Sequence, residues 1–166
     1  MIFLKYVGNH KKDTLVVQLG WGIIRLVQTE EFQKVTHSEC VLAGDNYRKC
    51  TIASSSLRDG GVRIKENIEL TKGNWRAFEV KEFKEADSLK WFQKYEGEPY
   101  NFVGTIATKV PGLRWLALAL RGYFCNWACL SSVGIPDAYK ETPSQSTKRL
   151  VYEYGAQEVT DTFFKD

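Results

Sequence analysis

Between residues 35 and 81 the sequence repeats one pattern, in which short segments of β-forming residues are separated by turns rich in Gly, Asn and Ser. Such segments predict paired strands, because tight turns bring successive strands side by side. We expect a sheet of about four to six strands. The predicted strands are Ile2 to Val7, Val35 to Ala43, Lys49 to Ser54, Val62 to Lys65 and Trp75 to Lys81.

Helical patterns flank this β region on both sides. Asp13 is a suitable N-cap for the first helix, and Thr142 with Gln145 is typical of a capped start for the last. Between the first and the last helix, the helix that begins near Phe124 is ended by Gly134 and Pro136. Polar residues from about residue 155 predict a loosely held tail. The predicted helices are Thr14 to Val27, Lys84 to Tyr95, Phe124 to Val133 and Thr142 to about Glu153.

Length and composition predict a single domain, residues 1–166, because 43% hydrophobic content over 166 residues suits one core. The net charge of +3 is spread along the chain, so we expect no nucleic-acid partner. The apolar run Val103 to Leu120 is interrupted by charged residues and a proline, which argues against a membrane span. The start, Met1 to Tyr6, lacks signal-peptide features, so we expect a cytoplasmic location and reduced cysteines.

Two distant segments supply a base, an acid and a thiol. Alternation along the strand from Val35 to Ala43 puts His37 and Glu39 on one face. Cys125 lies where a helical pattern begins, and the backbone N–H groups of a helix start favour a thiolate. Thiol catalysis needs a deprotonated sulfur, a base and a group that orients the imidazole. Cys125, His37 and Glu39 match these three requirements.

Other interpretations of the same residues stay open. His10, the second histidine, lies in a lysine-flanked polar turn that offers nothing to orient it. Cys129 shares a helix face with Cys125, so it is an alternative nucleophile, or the pair could bind a metal. We find too few further ligands for a metal and expect no cofactor. A buried thiol and a strand His–Glu pair also occur in proteins without catalytic activity.

The sequence resembles the circularly permuted branch of the NlpC-type papain-like cysteine hydrolases, the YiiX-like group. In that branch a strand bearing His precedes the helix bearing Cys, as His37 precedes Cys125 here. The chain departs from the family after the nucleophile, where members often have Cys-Ser-Glu and this chain has Cys125-Asn126-Trp127. The matching segments are Thr36 to Leu42 (THSECVL), Ser56 to Arg63 (SLRDGGVR), Pro99 to Gly104 (PYNFVG) and Tyr123 to Ala128 (YFCNWA).

The resemblance implies an α+β papain-like fold with a central antiparallel sheet packed against helices. It also implies an amidase or peptidase acting through a thioester on Cys125, with His37 as acid and base and Glu39 orienting His37. The substrate would be a small peptide, such as a cell-wall fragment, or an acyl compound. Tyr100 and Trp127 are candidate substrate-binding residues. The oxyanion would be held by the backbone N–H of Cys125 with help from Tyr100, although Tyr100 could equally be a core-packing residue.

Two further functions use the same residues. An acyltransferase, or lipid-related thioester chemistry, would differ only in the acceptor of the acyl group. As the family's apolar pockets suggest, the apolar stripe Trp115, Leu116, Leu118 and Leu120, with Trp127, could line a groove for an acyl chain or lipid, although such stripes are usually core. A non-catalytic binding module is the third possibility, and an unreactive thiol would favour it. The sequence leaves the oligomeric state undetermined.

Overall fold

A computed structural model describes residues 1–8, 35–44, 46–108 and 112–165 of the chain. The predicted helix Thr14 to Val27, its N-cap Asp13 and His10 lie outside the described residues. Strands form at the five predicted places, and the described residues add a short sixth. The strands are β1 (Ile2–Tyr6), β2 (His37–Ala43), β3 (Cys50–Ser56), β4 (Gly61–Ile68), β5 (Trp75–Glu79) and β6 (Gln157–Glu158).

These strands form one antiparallel sheet in the order β4-β3-β2-β1-β5-β6. Six helices lie in the described part of the chain, so the expected α+β class with an antiparallel sheet is confirmed. A 3₁₀ turn, Ala138–Lys140, precedes the fifth helix. The helices are α1 (Glu85–Tyr95), α2 (Phe102–Ala107), α3 (Trp115–Ala119), α4 (Cys125–Ser131), α5 (Pro143–Tyr154) and α6 (Thr160–Phe163).

The sheet buries apolar side chains on both faces. Phe3 and Cys40 face one cluster, which includes Cys129 of α4. Their neighbours Leu4 and Val41 face a second cluster with Phe163. Strands buried on both faces are apolar along their length rather than alternating. Because side chains alternate along a strand, His37 and Glu39 share the face of Val41, and Ser38 shares the face of Cys40.

Two helix ends show the predicted local chemistry. Thr142 caps α5: its hydroxyl accepts from Gln145 N–H at 3.1 Å, and the Gln145 side chain accepts from Thr142 N–H at 3.0 Å. This is the predicted capping box. Gly134 follows α4 with a φ of 77°, a left-handed conformation that glycine adopts without strain.

Two expectations differ from the structure. The C-terminal stretch is not loosely held: β6 pairs with β5, and Phe163 and Phe164 are buried against the sheet. These two aromatic side chains outweigh the polar residues around them. The apolar stripe does not lie in the core either, because Trp115 is 60% exposed and Leu118 is 56% exposed. In the described ranges, no helix has the length and apolar character needed to cross a membrane.

Candidate active site

His37 and Glu39 lie side by side at the start of β2. His37 Nε2 is 2.9 Å from Glu39 Oε1, and the side chains are only 10% and 4% exposed. The predicted alternation therefore holds, and the imidazole and the carboxylate are neighbours on one face. Since Glu39 engages Nε2, Nδ1 is the ring nitrogen that can exchange a proton with another group.

Arg63 on β4 fixes the carboxylate from the other side. Its Nη1 donates to Glu39 Oε2 at 2.8 Å, and its Nη2 donates to Oε1 at 2.5 Å. Arg63 Nε donates to Asp59, which also accepts from Lys65. Burial alone would raise the pKa of Glu39, but Arg63 and His37 lower it to about 2. Glu39 is thus a carboxylate at neutral pH.

Cys125 is the first residue of α4 and is 1% exposed. His37 and the backbone N–H of Ser38 are close enough to the sulfur for both to lower the pKa of Cys125. Phe124, in extended conformation, starts the helix at this point. The pairing of β2 with β3 runs from Cys40↔Ala53 to Ala43↔Thr51 and stops short of Ser38. Ser38 therefore lies beyond the β2–β3 ladder, although it still pairs with Lys5 of β1.

The thiol and the imidazole favour opposite charges. Burial alone would raise the pKa of Cys125, but His37, Ser38 N–H and Lys5 lower it below its ordinary value. Burial alone would lower the pKa of His37, but Cys125 and Glu39 raise it to about 9. An opposite charge within a few ångströms stabilises each ionised form. The arrangement favours a thiolate–imidazolium pair at neutral pH.

The other cysteines have different surroundings, although all four are free thiols. Burial and Cys40 raise the pKa of Cys129 well above its ordinary value. Burial and Glu39 raise the pKa of Cys50 to about 11. These thiols are protonated at neutral pH, and protonated thiols are poor nucleophiles. Of the two cysteines on α4, Cys125 is the one with the surroundings of a nucleophile.

The two predicted substrate-binding residues lie in different places. Tyr100 is close enough to Cys125 for its pKa to be affected: burial first, then Cys125, raise that pKa, so the hydroxyl keeps its proton. Thr105 Oγ1 donates to Tyr100 Oη at 3.4 Å. Trp127 packs in an aromatic cluster, with its ring centroid 4.7 Å from Tyr123 and 5.6 Å from Phe124. The structure brings Tyr100, but not Trp127, toward the thiol.

A cavity of about 270 Å³ opens beside His37 and Glu39. Apolar and aromatic residues, Trp75 and Ile52 among them, form part of the wall, and polar and charged side chains form the rest. Among the described residues that line it are His37 and Glu39, but not Cys125, Tyr100 or Trp127. The volume suits one amino-acid side chain or a short peptide end rather than a folded protein. Its charged lining consists of Glu39, Arg58, Asp59, Arg63, Lys65 and Glu69 in addition to His37.

Sequence reasoning missed two charged residues of the site. Arg63 lies 24 positions from Glu39, and only the strand order brings the two together. Lys5 is fully buried in β1 and interacts with Cys125. Its signal was present, because Lys5 is surrounded by apolar residues in a strand without alternation.

Comparison with known proteins gives no match: no protein-family model, no curated protein and no solved structure is significantly similar to the chain. Among the described residues, no group of three or more His, Cys, Asp or Glu side chains is placed to hold a metal ion.

Proposed function

We propose that this protein is a cysteine hydrolase, an amidase or peptidase that acts through Cys125, His37 and Glu39. One observation supports this most strongly: His37 Nε2 is 2.9 Å from Glu39 Oε1, and His37 and Cys125 are close enough that each shifts the pKa of the other toward its ionised form. A weak nucleophile is activated when a base lies beside it and a third group orients that base. Arg63 keeps Glu39 ionised, which stabilises the positive imidazolium.

In the acylation step, the Cys125 thiolate attacks the carbonyl carbon of an amide and forms a C–S bond. The imidazolium of His37 then donates its Nδ1 proton to the amide nitrogen, and the C–N bond breaks. The amine leaves, and the acyl group remains on sulfur as a thioester. Glu39 stays ionised throughout and holds Nε2–H, so the same imidazole orientation serves each step.

In the deacylation step, His37 takes a proton from water, and the resulting hydroxide attacks the thioester carbonyl. The C–S bond breaks, a carboxylic acid leaves, and the thiolate–imidazolium pair is restored. Negative charge on the carbonyl oxygen builds up in both steps. The Tyr100 hydroxyl, which keeps its proton beside Cys125, is the side-chain donor proposed for that oxygen.

The proposed fold family is the circularly permuted NlpC-type papain-like group. Chain order supports it, since the strand with His37 precedes the helix with Cys125. The packing of α4 against β2 and β3 of an antiparallel sheet agrees with it. We place one side chain or one end of a small peptide, such as a cell-wall fragment, in the cavity beside His37. The four cysteines are free thiols, which agrees with action in the reducing cytoplasm.

The proposal is tested by incubating the protein with a mixed peptide library in ¹⁸O-labelled water. Mass spectrometry should find new carboxyl ends carrying one ¹⁸O and an acyl group on Cys125. Both should disappear in Cys125→Ala but persist in Cys129→Ala, a matched loss of one thiol from the same helix. Acyl groups found only on added amines or alcohols would instead identify an acyltransferase. Bound peptides without any product would contradict catalysis and favour a binding module.

A further inference from the structure

Large apolar side chains are exposed mainly in one part of the chain. Six of them are exposed in the described residues, and five of these six lie between residues 103 and 120. Single exposed apolar residues are normal, whereas a concentration of them marks an interaction surface. We call these five residues the apolar patch. They are Val103, Leu113, Trp115, Leu118 and Leu120, and they are between 39% and 60% exposed.

The two helices that carry most of this patch place small residues inward and large residues outward. In α2 the buried residues are small, whereas Val103 is 51% exposed. In α3 the buried residue is Ala117, whereas Trp115 and Leu118, three positions apart, share the exposed side. This reverses the usual arrangement, in which large apolar side chains are buried. Covering the patch would therefore remove apolar surface from water, which is favourable.

A buried amide, Asn101, holds both helices in this orientation. Its Oδ1 accepts from Gly104 N–H at 2.6 Å, at the start of α2. Its Nδ2 donates to the carbonyls of Ala117 at 2.9 Å and Leu120 at 3.1 Å, at the end of α3. The two helices also contact each other. The outward direction of the patch is thus set by a specific side chain of the interior.

The charge around the patch is positive. Between Glu98 and Asp137 the sequence contains no acidic residue and three basic ones, Lys109, Arg114 and Arg121. Lys109 lies outside the described residues. Arg121 is exposed and pairs with Glu98 at 2.9 Å. Arg114, directly before α3, donates to a backbone carbonyl and forms no ion pair within the described part of the chain.

Arg114 also lines a cavity of about 410 Å³ beside α5. Four cationic side chains and two carboxylates line this cavity, and Arg149 binds both carboxylates, at 2.6 Å and 3.0 Å. The other two cations are Lys148 and Lys140, and Lys140 pairs with Asp137 at 2.9 Å. Even with Asp137 counted, positive charge exceeds negative charge here. The surroundings of Arg114 therefore suit an anionic group.

We infer that the apolar patch docks this protein on a membrane surface that contains anionic phospholipid. The contact is peripheral: Trp115 and Leu118 enter the boundary between headgroups and acyl chains, where tryptophan is enriched in membrane proteins. Arg114 and its basic neighbours bind the anionic headgroups. The cytoplasmic leaflet is the membrane face that carries such lipids. This docking does not depend on the proposed catalysis, since the thiol takes no part in it.

A second copy of the chain fits the patch less well. Symmetric dimers bring the same patch of both copies together. The arginines of one patch would then meet those of the other, and residues 99–136 contain no acidic residue to pair with them. Like charges brought together oppose association. An anionic lipid surface complements the same arginines.

The first test is sedimentation of the protein with vesicles of phosphatidylcholine, alone or with about one third phosphatidylserine. Binding should need the anionic lipid and should weaken at high salt, because salt screens exposed charges. Trp115→Ser and Leu118→Ser should each weaken binding by about tenfold or more, since each removes a large apolar side chain from the contact. Trp115→Phe is the matched control, because it keeps a large ring and should still bind.

Arg114→Gln tests the charge and should weaken binding to the anionic vesicles about fivefold. Lys72→Gln is its control: Lys72 is exposed and lies over the ring of Tyr47, in the apolar cluster on the other face of the sheet. This change should leave binding unaltered. All these positions are exposed, so the variants should fold, which thermal unfolding checks. No binding to anionic vesicles, or binding that the Trp115, Leu118 and Arg114 variants leave unchanged, would overturn the inference.

Tryptophan fluorescence locates the contact. Anionic vesicles should shift the emission of the wild type to shorter wavelength, because Trp115 moves from water into an apolar environment. The shift should be absent in Trp115→Phe, although that variant binds. A shift that persists in Trp115→Phe would place another tryptophan in the membrane and overturn the inference.

Two further measurements separate the alternatives. Cys125→Ala should bind vesicles like the wild type, so loss of hydrolysis and loss of docking are independent results. Sedimentation equilibrium without vesicles tests the second copy as occupant. A dimer that Trp115→Ser converts to a monomer would identify the patch as a dimer interface and overturn the membrane inference.

Discussion

Arg63 binds both carboxylate oxygens of Glu39, at 2.8 Å and 2.5 Å, although strand β3 lies between their two strands. Two parallel N–H···O bonds fix the plane of the carboxylate as well as its charge. Glu39 Oε1 is also the atom that holds His37 Nε2. The orientation of the imidazole thus depends on a residue two strands away.

Replacing Arg63 with methionine should impair both folding and reactivity. The pair is largely buried, with side chains 13% and 4% exposed, and removing one partner leaves a buried carboxylate. Such a loss costs about 3–5 kcal/mol of unfolding free energy. The measurement is urea unfolding, together with labelling of Cys125. Lys65→Met is the matched control, since it breaks the more exposed pair with Asp59 and should cost at most about 1 kcal/mol. Equal effects of the two changes would contradict a special role for Arg63.

Glu39 should also make stability depend on pH in the acid range. Its pKa is about 2 in the folded protein against an ordinary value of 4.5. A depressed pKa contributes stability that is complete above pH 4.5 and is lost as the pH falls toward 2. Thermal unfolding of wild type and Glu39→Gln between pH 2 and 6 measures this. The stability of the variant should change less over that range. If the stability of both proteins changes equally with pH, the partners of Glu39 do not lower its pKa.

How much of this structure the sequence predicts depends on the distance along the chain between the residues that interact. Alternation is local, so it places His37 and Glu39 on one face, and the capping pattern at Thr142 and Gln145 is local too. The order of strands is not local, and it alone decides that Arg63 reaches Glu39. The burial of Lys5 depends in the same way on α5, which supplies Ser146. Sequence patterns therefore do not reveal the charged residues of the site whose partners lie on distant elements.

The tail illustrates the same limit. Polar residues around Phe163 and Phe164 predict weak attachment, yet both rings are buried, and the ring centroid of Phe164 lies 5.4 Å from that of Tyr47. Tyr47 lies in the connection between β2 and β3, far away in sequence. A local pattern cannot reveal a binding surface that the sheet creates.

Tyr100→Phe tests the proposed donor to the carbonyl oxygen. The change removes one hydroxyl and keeps the ring, so folding should be little affected. Loss of one donor to a developing oxyanion lowers kcat by about 10²-fold, with little change in KM. The measurement is steady-state kinetics on a peptide substrate found with the library. An unchanged kcat would leave Tyr100 as a packing residue.

Trp75 and Trp127 should respond differently to the same substitution, leucine. Trp75 lines the cavity beside His37, so Trp75→Leu should raise KM. Expressed as a free energy, this effect should exceed the loss of unfolding free energy. Trp127 packs among Tyr123, Phe124 and Tyr139, so Trp127→Leu should cost about 1–3 kcal/mol of unfolding free energy with KM nearly unchanged. Kinetics and thermal unfolding of both variants distinguish the two roles. A large KM effect of Trp127→Leu would restore it as a substrate-binding residue.

The central claim is that Cys125 and His37 form a thiolate–imidazolium pair. The most direct test is the pH dependence of iodoacetamide labelling, followed for each cysteine by mass spectrometry, in wild type, His37→Ala and the control His10→Ala. We predict labelling of Cys125 alone below about pH 7, unchanged in His10→Ala and lost in His37→Ala, because the imidazolium lowers the pKa of the thiol. Labelling of Cys125 with a midpoint near pH 8.5 that neither change alters would contradict the claim.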